Sequence, residues 1–261
     1  MTHPVRVLVI AGSDSGGGAG IQADIKTISA WGGFAMTVVT AVTAQNTLGV
    51  HDVQMISTDI ITAQFNAIMR DIGADAIKIG MLGDVDTVLC VSQLLKQYSD
   101  IPVILDPVMQ AKGGAALLHD DAVTALKEHL LPCATIVTPN MPEAEMLCNL
   151  PIDSMAARQK ACRMIAKFGD VSVILKGGHG EEEELCDLLY YNNQFYYYNT
   201  PRIDTMHTHG TGCSFASAIA TLIAQGTAIE DAMLQAQSYI RQAILNAPGF
   251  GAGHGPLWHQ N

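Results

Sequence analysis

Apolar positions along the chain switch repeatedly between two periods. Residues 5–11 form a near-continuous β-branched run, the pattern of a strand buried on both faces. A glycine-rich turn follows, then Ile21, Ile25 and Ile28 at helical spacing, so the chain opens as a β-α-β unit. A second strand is predicted over 34–44. A helix over 58–72 carries Ile61, Phe65, Ile68 and Ile72 on one face. The alternation continues with a strand at 76–79, a helix at 84–98, a strand at 103–105, a helix at 119–131 and a strand at 135–138. Two shorter helices, 142–148 and 154–168, lead to a strand at 171–175. Between 185 and 199 the period changes, and two strand-like segments flank Asn192-Asn193, a hairpin signal. Phe215, Ile219, Leu222 and Ile223 then make one helical stripe. A last helix over 229–245 turns Ile229, Met233, Ala236, Tyr239, Ile240 and Ala243 inward, ahead of a glycine-rich tail.

This alternation predicts an α/β fold, a mostly parallel central sheet with helices on both faces, in a single domain over 1–261. No repeat or linker interrupts it. Ligands of such sheets bind beyond the carboxyl ends of the strands. The loops expected on that rim are 12–20, Gly80-Met81, Asp106-Pro107, Pro139-Asn140 and 176–179.

Composition narrows the function. The 261 residues are 49% hydrophobic, 15% charged and carry a net charge of −11. With no Lys/Arg cluster, a nucleic-acid or membrane-surface role is not expected. An acidic protein that binds phosphates does so locally, with backbone N–H groups, a few lysines and Mg²⁺. The six cysteines, at 90, 133, 148, 162, 186 and 213, form no C-x-x-C pair and complete no zinc pattern. They read as reduced thiols. The apolar run near the start is too short for a signal sequence or a membrane span, so a cytoplasmic location is expected.

The richest chemistry lies at His209-Gly210-Thr211-Gly212-Cys213-Ser214, where a helix begins. Helix starts expose N–H groups and partial positive charge, and two glycines let that backbone approach a ligand. The stretch is either an anion cradle with a thiol in its mouth or a plain glycine-rich helix entry. The first glycine loop matches neither G-x-G-x-x-G, which from Gly16 needs glycine where Ile21 stands, nor the Walker A pattern. Asp24 falls at the margin of an inward stripe, as a solvated carboxylate or an acceptor for a substrate amino or hydroxyl group. Gln45 offers a donor and an acceptor side by side, which suits the edge of an aminopyrimidine; its alternative is a loop-capping amide. Lys176 ends a buried strand, as a bridge between phosphates or an exposed turn lysine. Glu143 stands in a first helical turn, favouring the helix start or holding Mg²⁺ through water. His207 and His209 flank the cradle and by themselves read as structural.

Asp24, Gln45-Asn46, Asn140-x-x-Glu143, Lys176-Gly-Gly-His179 and Thr208-His-Gly-Thr-Gly-Cys213 stand in one order. With Ala-Gly-Ser-Asp (11–14), Thr-Ala-Gln-Asn-Thr (43–47), Lys-Ile-Gly-Met-Leu (78–82), Asp-Pro-Val-Met (106–109) and Gly253-His-Gly-Pro256, they resemble the ribokinase superfamily over essentially the whole chain. The branch is that of hydroxymethylpyrimidine and phosphohydroxymethylpyrimidine kinases of thiamine biosynthesis. The resemblance implies ATP- and Mg²⁺-dependent transfer to 4-amino-5-hydroxymethyl-2-methylpyrimidine, and a second transfer onto the monophosphate. It implies that Gln45, with Gly12, Ala19 and Asp24, reads the pyrimidine, and that Met81 and Val108 pack on the ring. Lys176 with Thr208, Gly210, Thr211 and Gly212 then holds nucleotide phosphates, helped by Lys112, and Cys213 is the base. The expected Mg²⁺ group is Glu143 with Asn140 and Asp106, through water.

A homodimer is implied by the family alone. Two departures stand out: Ser15-Gly16 where the branch has Pro-Ser, and Gly113 where it has Ser, in a loop expected to be a flap over the site. The competing readings are a pyridoxal kinase of the same branch and a non-catalytic pyrimidine or nucleotide sensor. The joint presence of Lys176, Glu143 and Cys213 speaks against the sensor.

Overall fold

The computed structural model describes residues 3–109, 120–178 and 183–260. Among these, nine strands form one sheet in the order β3-β2-β1-β4-β5-β6-β7-β8-β9. The parallel centre comprises β1 (Arg6–Asp14), β2 (Phe34–Asn46), β4 (Ala76–Ile79), β5 (Val103–Leu105), β6 (Ile136–Val137) and β7 (Ser172–Leu175). Antiparallel strands finish both edges: β3 (Gly49–Met55) beyond β2, and the hairpin β8 (Glu184–Tyr191) and β9 (Gln194–Pro201) beyond β7. Asn192 and Asn193 both adopt positive φ in that hairpin turn, as a tight two-residue connection requires.

The sheet divides two apolar layers. In β1, Leu8 and Ile10 enter one core while Val7, Val9 and Ala11 enter the other, which explains the uninterrupted apolar run. The first layer is covered by α2 (Thr58–Asp71), α3 (Val85–Leu95), α4 (Asp120–Ala125), α5 (Met141–Cys148) and α6 (Met155–Ala166). The second is covered by α1 (Gly20–Ala30), α7 (Thr211–Ala224) and α8 (Ile229–Leu245). Helix α7 is buried from Ser214 through Leu222 and lies over the middle of the sheet. It is more enclosed than its single stripe suggests.

Some boundaries differ from the sequence reading. The buried stripe of α2 is Ile61, Phe65 and Met69, leaving Ile72 exposed past the helix end. The helix predicted over 119–131 breaks into α4, a π-turn at Leu126–Leu130 and a 3₁₀ turn at Leu131–Cys133 that admits Pro132. Strand β3 has no counterpart among the predicted elements. From β1 the chain moves to β2 on one side and to β4 on the other, so strand order reverses between β1 and β4. Their carboxyl ends open a crevice there.

Candidate active site

The loops beyond the parallel strands enclose a cleft of about 630 Å³. Gly12, Ala19, Gln45, Met81, Val108, Asp106, Asn140, Glu143, Lys176, Thr208, Gly210, Thr211, Gly212 and Cys213 all line it. Lys112 and His179, like Gly113, lie outside the described residues.

One end of the cleft is built by two glycine loops pressed together. Asp14 closes β1 and turns its carboxylate inward, accepting from the amides of Gly16 at 2.8 Å, Gly18 at 3.0 Å and Ala19 at 2.7 Å. His209 Nε2 lies 3.0 Å from the same carboxylate. Gly210 has φ +87, and a Cβ there would drive into the Gly18 carbonyl oxygen, so only glycine lets the loops meet. Gln45 projects from the end of β2 with its amide between Thr43 Oγ1 and His209 Nε2, each 3.3 Å away. Met81 Sδ packs where a Gly12 side chain would begin, and Thr40 Oγ1 donates to the Met81 carbonyl at 2.7 Å.

The other end carries charge. Lys176 Nζ donates to Asp106 Oδ1 at 2.9 Å, and Thr138 Oγ1 donates to the same oxygen at 3.3 Å. A Cβ on Gly212 would lie 3.3 Å from Lys176 Nζ and 3.5 Å from Asp106 Oδ2, so the pair rests against the first turn of α7. Burial alone would lower the Lys176 pKa, but Asp106 and Glu143 overcome it and hold the ammonium above its ordinary value. Asn140 and Glu143 form a reciprocal cap on α5: Asn140 Oδ1 accepts from Glu143 N at 2.9 Å, and Glu143 Oε2 accepts from Asn140 N at 2.8 Å. Burial pushes the Glu143 carboxyl up to about 7; Lys176 opposes the rise and Asp106 adds to it. Among the described residues, no three His, Cys, Asp or Glu side chains converge closely enough to grip an ion directly. Asp106 Oδ1, Asn140 Oδ1 and Glu143 Oε2 already accept hydrogen bonds from neighbours, so the group fits a hydrated Mg²⁺ arriving on a polyphosphate.

One expectation is corrected. Asp24 does not line the cleft. It is fully buried beneath the floor, where it accepts from Lys78 Nζ at 2.9 and 3.0 Å and from Ser217 Oγ at 2.7 Å, so its oxygens are spent on the protein. Cys213 stands in the mouth of the cradle and is partly exposed. Its thiol is pushed up to about 11. Burial is the main cause; Lys78 favours the thiolate, while Asp24 and Asp106 oppose it. Here desolvation outweighs the helix N-terminus.

Lys78, Asp14 and Asp187 were not singled out from sequence. Lys78 is a lone cation inside the fully buried strand Ala76–Ile79, and that misfit is a readable signal. Asp187 accepts from the Gly177 amide at 2.6 Å and from Gln237 Nε2 at 2.6 Å, bracing the loop that carries Lys176. Its signal is weaker, since it stands in an ordinary edge hairpin.

A doubly layered sheet, a switch-point cleft, a glycine-led helix start and a strand-end lysine together define a phosphotransferase of the ribokinase-like class. The profile of the phosphomethylpyrimidine kinase family matches residues 14–258. The hydroxymethylpyrimidine/phosphomethylpyrimidine kinase of Bacillus subtilis (strain 168) is 47% identical over 255 residues, covering 97% of this chain and 94% of that protein. A crystal structure of phosphomethylpyrimidine kinase from Clostridium difficile 630 superposes with a TM-score of 0.82 at 40% identity, covering 92% of this chain and 99% of that one. The ADP complex of Bacillus subtilis pyridoxal kinase superposes with a TM-score of 0.90 at 34% identity, covering 98% and 97%. The chain belongs to the phosphomethylpyrimidine kinase family.

Proposed function

We propose that this protein transfers the γ-phosphoryl group of ATP to the hydroxymethyl group of 4-amino-5-hydroxymethyl-2-methylpyrimidine. A second transfer onto the monophosphate then gives the diphosphate used in thiamine biosynthesis. The observation that carries the reading is the Lys176–Asp106 pair resting on the first turn of α7, in one cleft with Cys213 and Gln45. Gln45 reads the acceptor heterocycle, between Gly12, Ala19, Met81 and Val108. Lys176 and the backbone of 208–212 hold the phosphates, helped by Lys112. Asp106, Asn140 and Glu143 would hold Mg²⁺ through its hydration shell, and the ion would supply neutralisation of phosphate charge. The acceptor oxygen forms the new O–P bond as the bond from phosphorus to ADP breaks, and the thiolate form of Cys213 takes the alcohol proton, becoming the thiol. Because the transition state is loose, stabilising charge on the moving phosphoryl group does more than proton removal.

Incubation with hydroxymethylpyrimidine and MgATP, followed by mass spectrometry, is expected to yield both the monophosphate and the diphosphate. Absence of both overturns the reading. The close superposition on pyridoxal kinase supports a second reading, the phosphorylation of pyridoxal. A side-by-side assay decides, because pyridoxal lacks the amino group that a glutamine carbonyl accepts from; faster turnover of pyridoxal reverses the order. The enzyme is proposed to work as a cytoplasmic homodimer, a state that light scattering of the purified protein tests.

A further inference from the structure

We propose that Asp14 and His209 fix the direction in which the Gln45 amide faces, and so the polarity of the edge this cleft reads. The direction so fixed puts oxygen on the His209 side and N–H on the Thr43 side, a half-turn from the rotamer in the structure. The proposal rests on the acceptor-reading role given to Gln45 above. Its first support is the set of donors around Asp14. Three backbone amides converge on its carboxylate, at 2.7 to 3.0 Å, and such a group is ionised. Its pKa is accordingly lowered: burial works to raise it, and the bonds from His209, Ala19 and Gly16 prevail. An ionised carboxylate has only lone pairs to offer. The imidazole nitrogen facing it at 3.0 Å must therefore carry hydrogen, whether the ring is neutral or charged.

The second support comes from the opposite side of the amide. Thr43 Oγ1 has one proton for two acceptors, and the Ser13 carbonyl oxygen at 3.0 Å is nearer than Gln45 Oε1 at 3.3 Å, so the proton is assigned to Ser13. Towards Gln45 the hydroxyl therefore presents lone pairs. In the rotamer seen here, Gln45 nitrogen faces His209 Nε2 and Gln45 oxygen faces Thr43, setting donor against donor and lone pair against lone pair. A half-turn of the terminal amide removes both conflicts with little change in shape: the Gln45 oxygen then lies beside the one Nε2–H, shared with Asp14 at the shorter 3.0 Å, and its N–H faces the Thr43 lone pairs. After that turn one oxygen lone pair and one N–H remain for a ligand. A heterocycle with an amino group beside a ring nitrogen then has one orientation available, its amino group towards His209 and its ring nitrogen towards Thr43. A ring without the amino group leaves that oxygen lone pair without a donor.

The first test needs no turnover. Long-range ¹H–¹⁵N spectra of the full-length protein, with His209 assigned by its absence in His209→Gln, are expected to show a protonated Nε2 at pH 8. A bare Nε2, with hydrogen on Nδ1 alone, overturns the proposal. The second test is Asp14→Asn, whose side chain also suits the other tautomer. Selectivity for the amino-bearing pyrimidine alcohol over its des-amino analogue is expected to fall about tenfold; undiminished selectivity counts against the lock. Should that variant not fold, Thr43→Val probes the same amide from its other side. It is expected to raise KM for the amino substrate about tenfold with kcat largely unchanged, and an unaltered KM refutes the assignment. Failure of the kinase reading appears separately, as absence of phosphorylated product from the wild type.

Discussion

Cys213 is a weaker acid than its place at a helix start implies, and its reactivity should report this. With the thiol pushed up to about 11, alkylation of Cys213 by iodoacetamide is expected to be slow at pH 7 and to climb steadily towards pH 11. Peptide mapping by mass spectrometry follows this one cysteine among six. If the thiolate takes the alcohol proton, kcat should rise with pH over the same span, because more of the base form is present. A flat profile removes Cys213 from that role. Cys213→Ala is expected to lower kcat by about 10²–10⁴-fold with KM for the pyrimidine little changed. The thiol, Gln45 and Lys176 were legible in the sequence because each ends a strand or opens a helix, where polar side chains have few structural duties. The depth of Asp24 was not legible. Helical spacing placed it at the stripe's margin, and only the tertiary partners Lys78 and Ser217 decide that it sits wholly inside.

At the scale of elements, the meeting of the two glycine loops sets the tolerance of the site. Gly210→Ala combines a left-handed φ with collision against the Gly18 carbonyl. Gly226 has a similar φ of +84 but open space around it. Urea unfolding is expected to show Gly226→Ala costing about 1–2 kcal/mol, and Gly210→Ala costing more and losing phosphoryl transfer as well. Equal losses in the two variants contradict the crowding argument. The strongly periodic segments were readable: β4, β5 and α8 begin and end where the pattern placed them. Strand β3 was not. His51, Asp52, Val53 and Gln54 are all exposed on the sheet edge, so no alternation marks the strand. The Thr47-Leu48 turn also lacks the glycine or asparagine that announces a hairpin.

At the scale of the whole molecule, the glycine-rich tail returns to the centre. The Gly255 carbonyl accepts from the His209 amide at 3.1 Å, and the Trp258 amide donates to the Ala243 carbonyl at 3.0 Å. His259 is buried, its Nε2 2.8 Å from Ser214 Oγ, one residue beyond Cys213. Burial is the main reason that its pKa falls to about 4. Folding therefore holds this ring neutral, while the unfolded chain takes up a proton below its ordinary value near 6.5. Stability from this group is intact above that value and drains away as pH falls towards 4, by at most about 3 kcal/mol. Melting temperatures between pH 7 and 4 are expected to drop less steeply for His259→Gln than for the wild type. Parallel curves would show that another group governs acid sensitivity. Nothing in the periodicity of the tail foretold this docking, because glycines carry no pattern and the contacts are to residues far back in the chain. Removal of 254–261 is expected to lower thermal stability and weaken acceptor binding, seen as a raised KM.

That return has a bearing on synthesis. A ribosome releases the strand bearing Asp14 early, yet the loop around His209 lacks its support until residues 255–259 have left the exit tunnel. A nascent polypeptide of this protein can collapse around its β-branched centre during translation. Its vitamin-precursor pocket is finished only when residues 255–259 have emerged and docked beside His209.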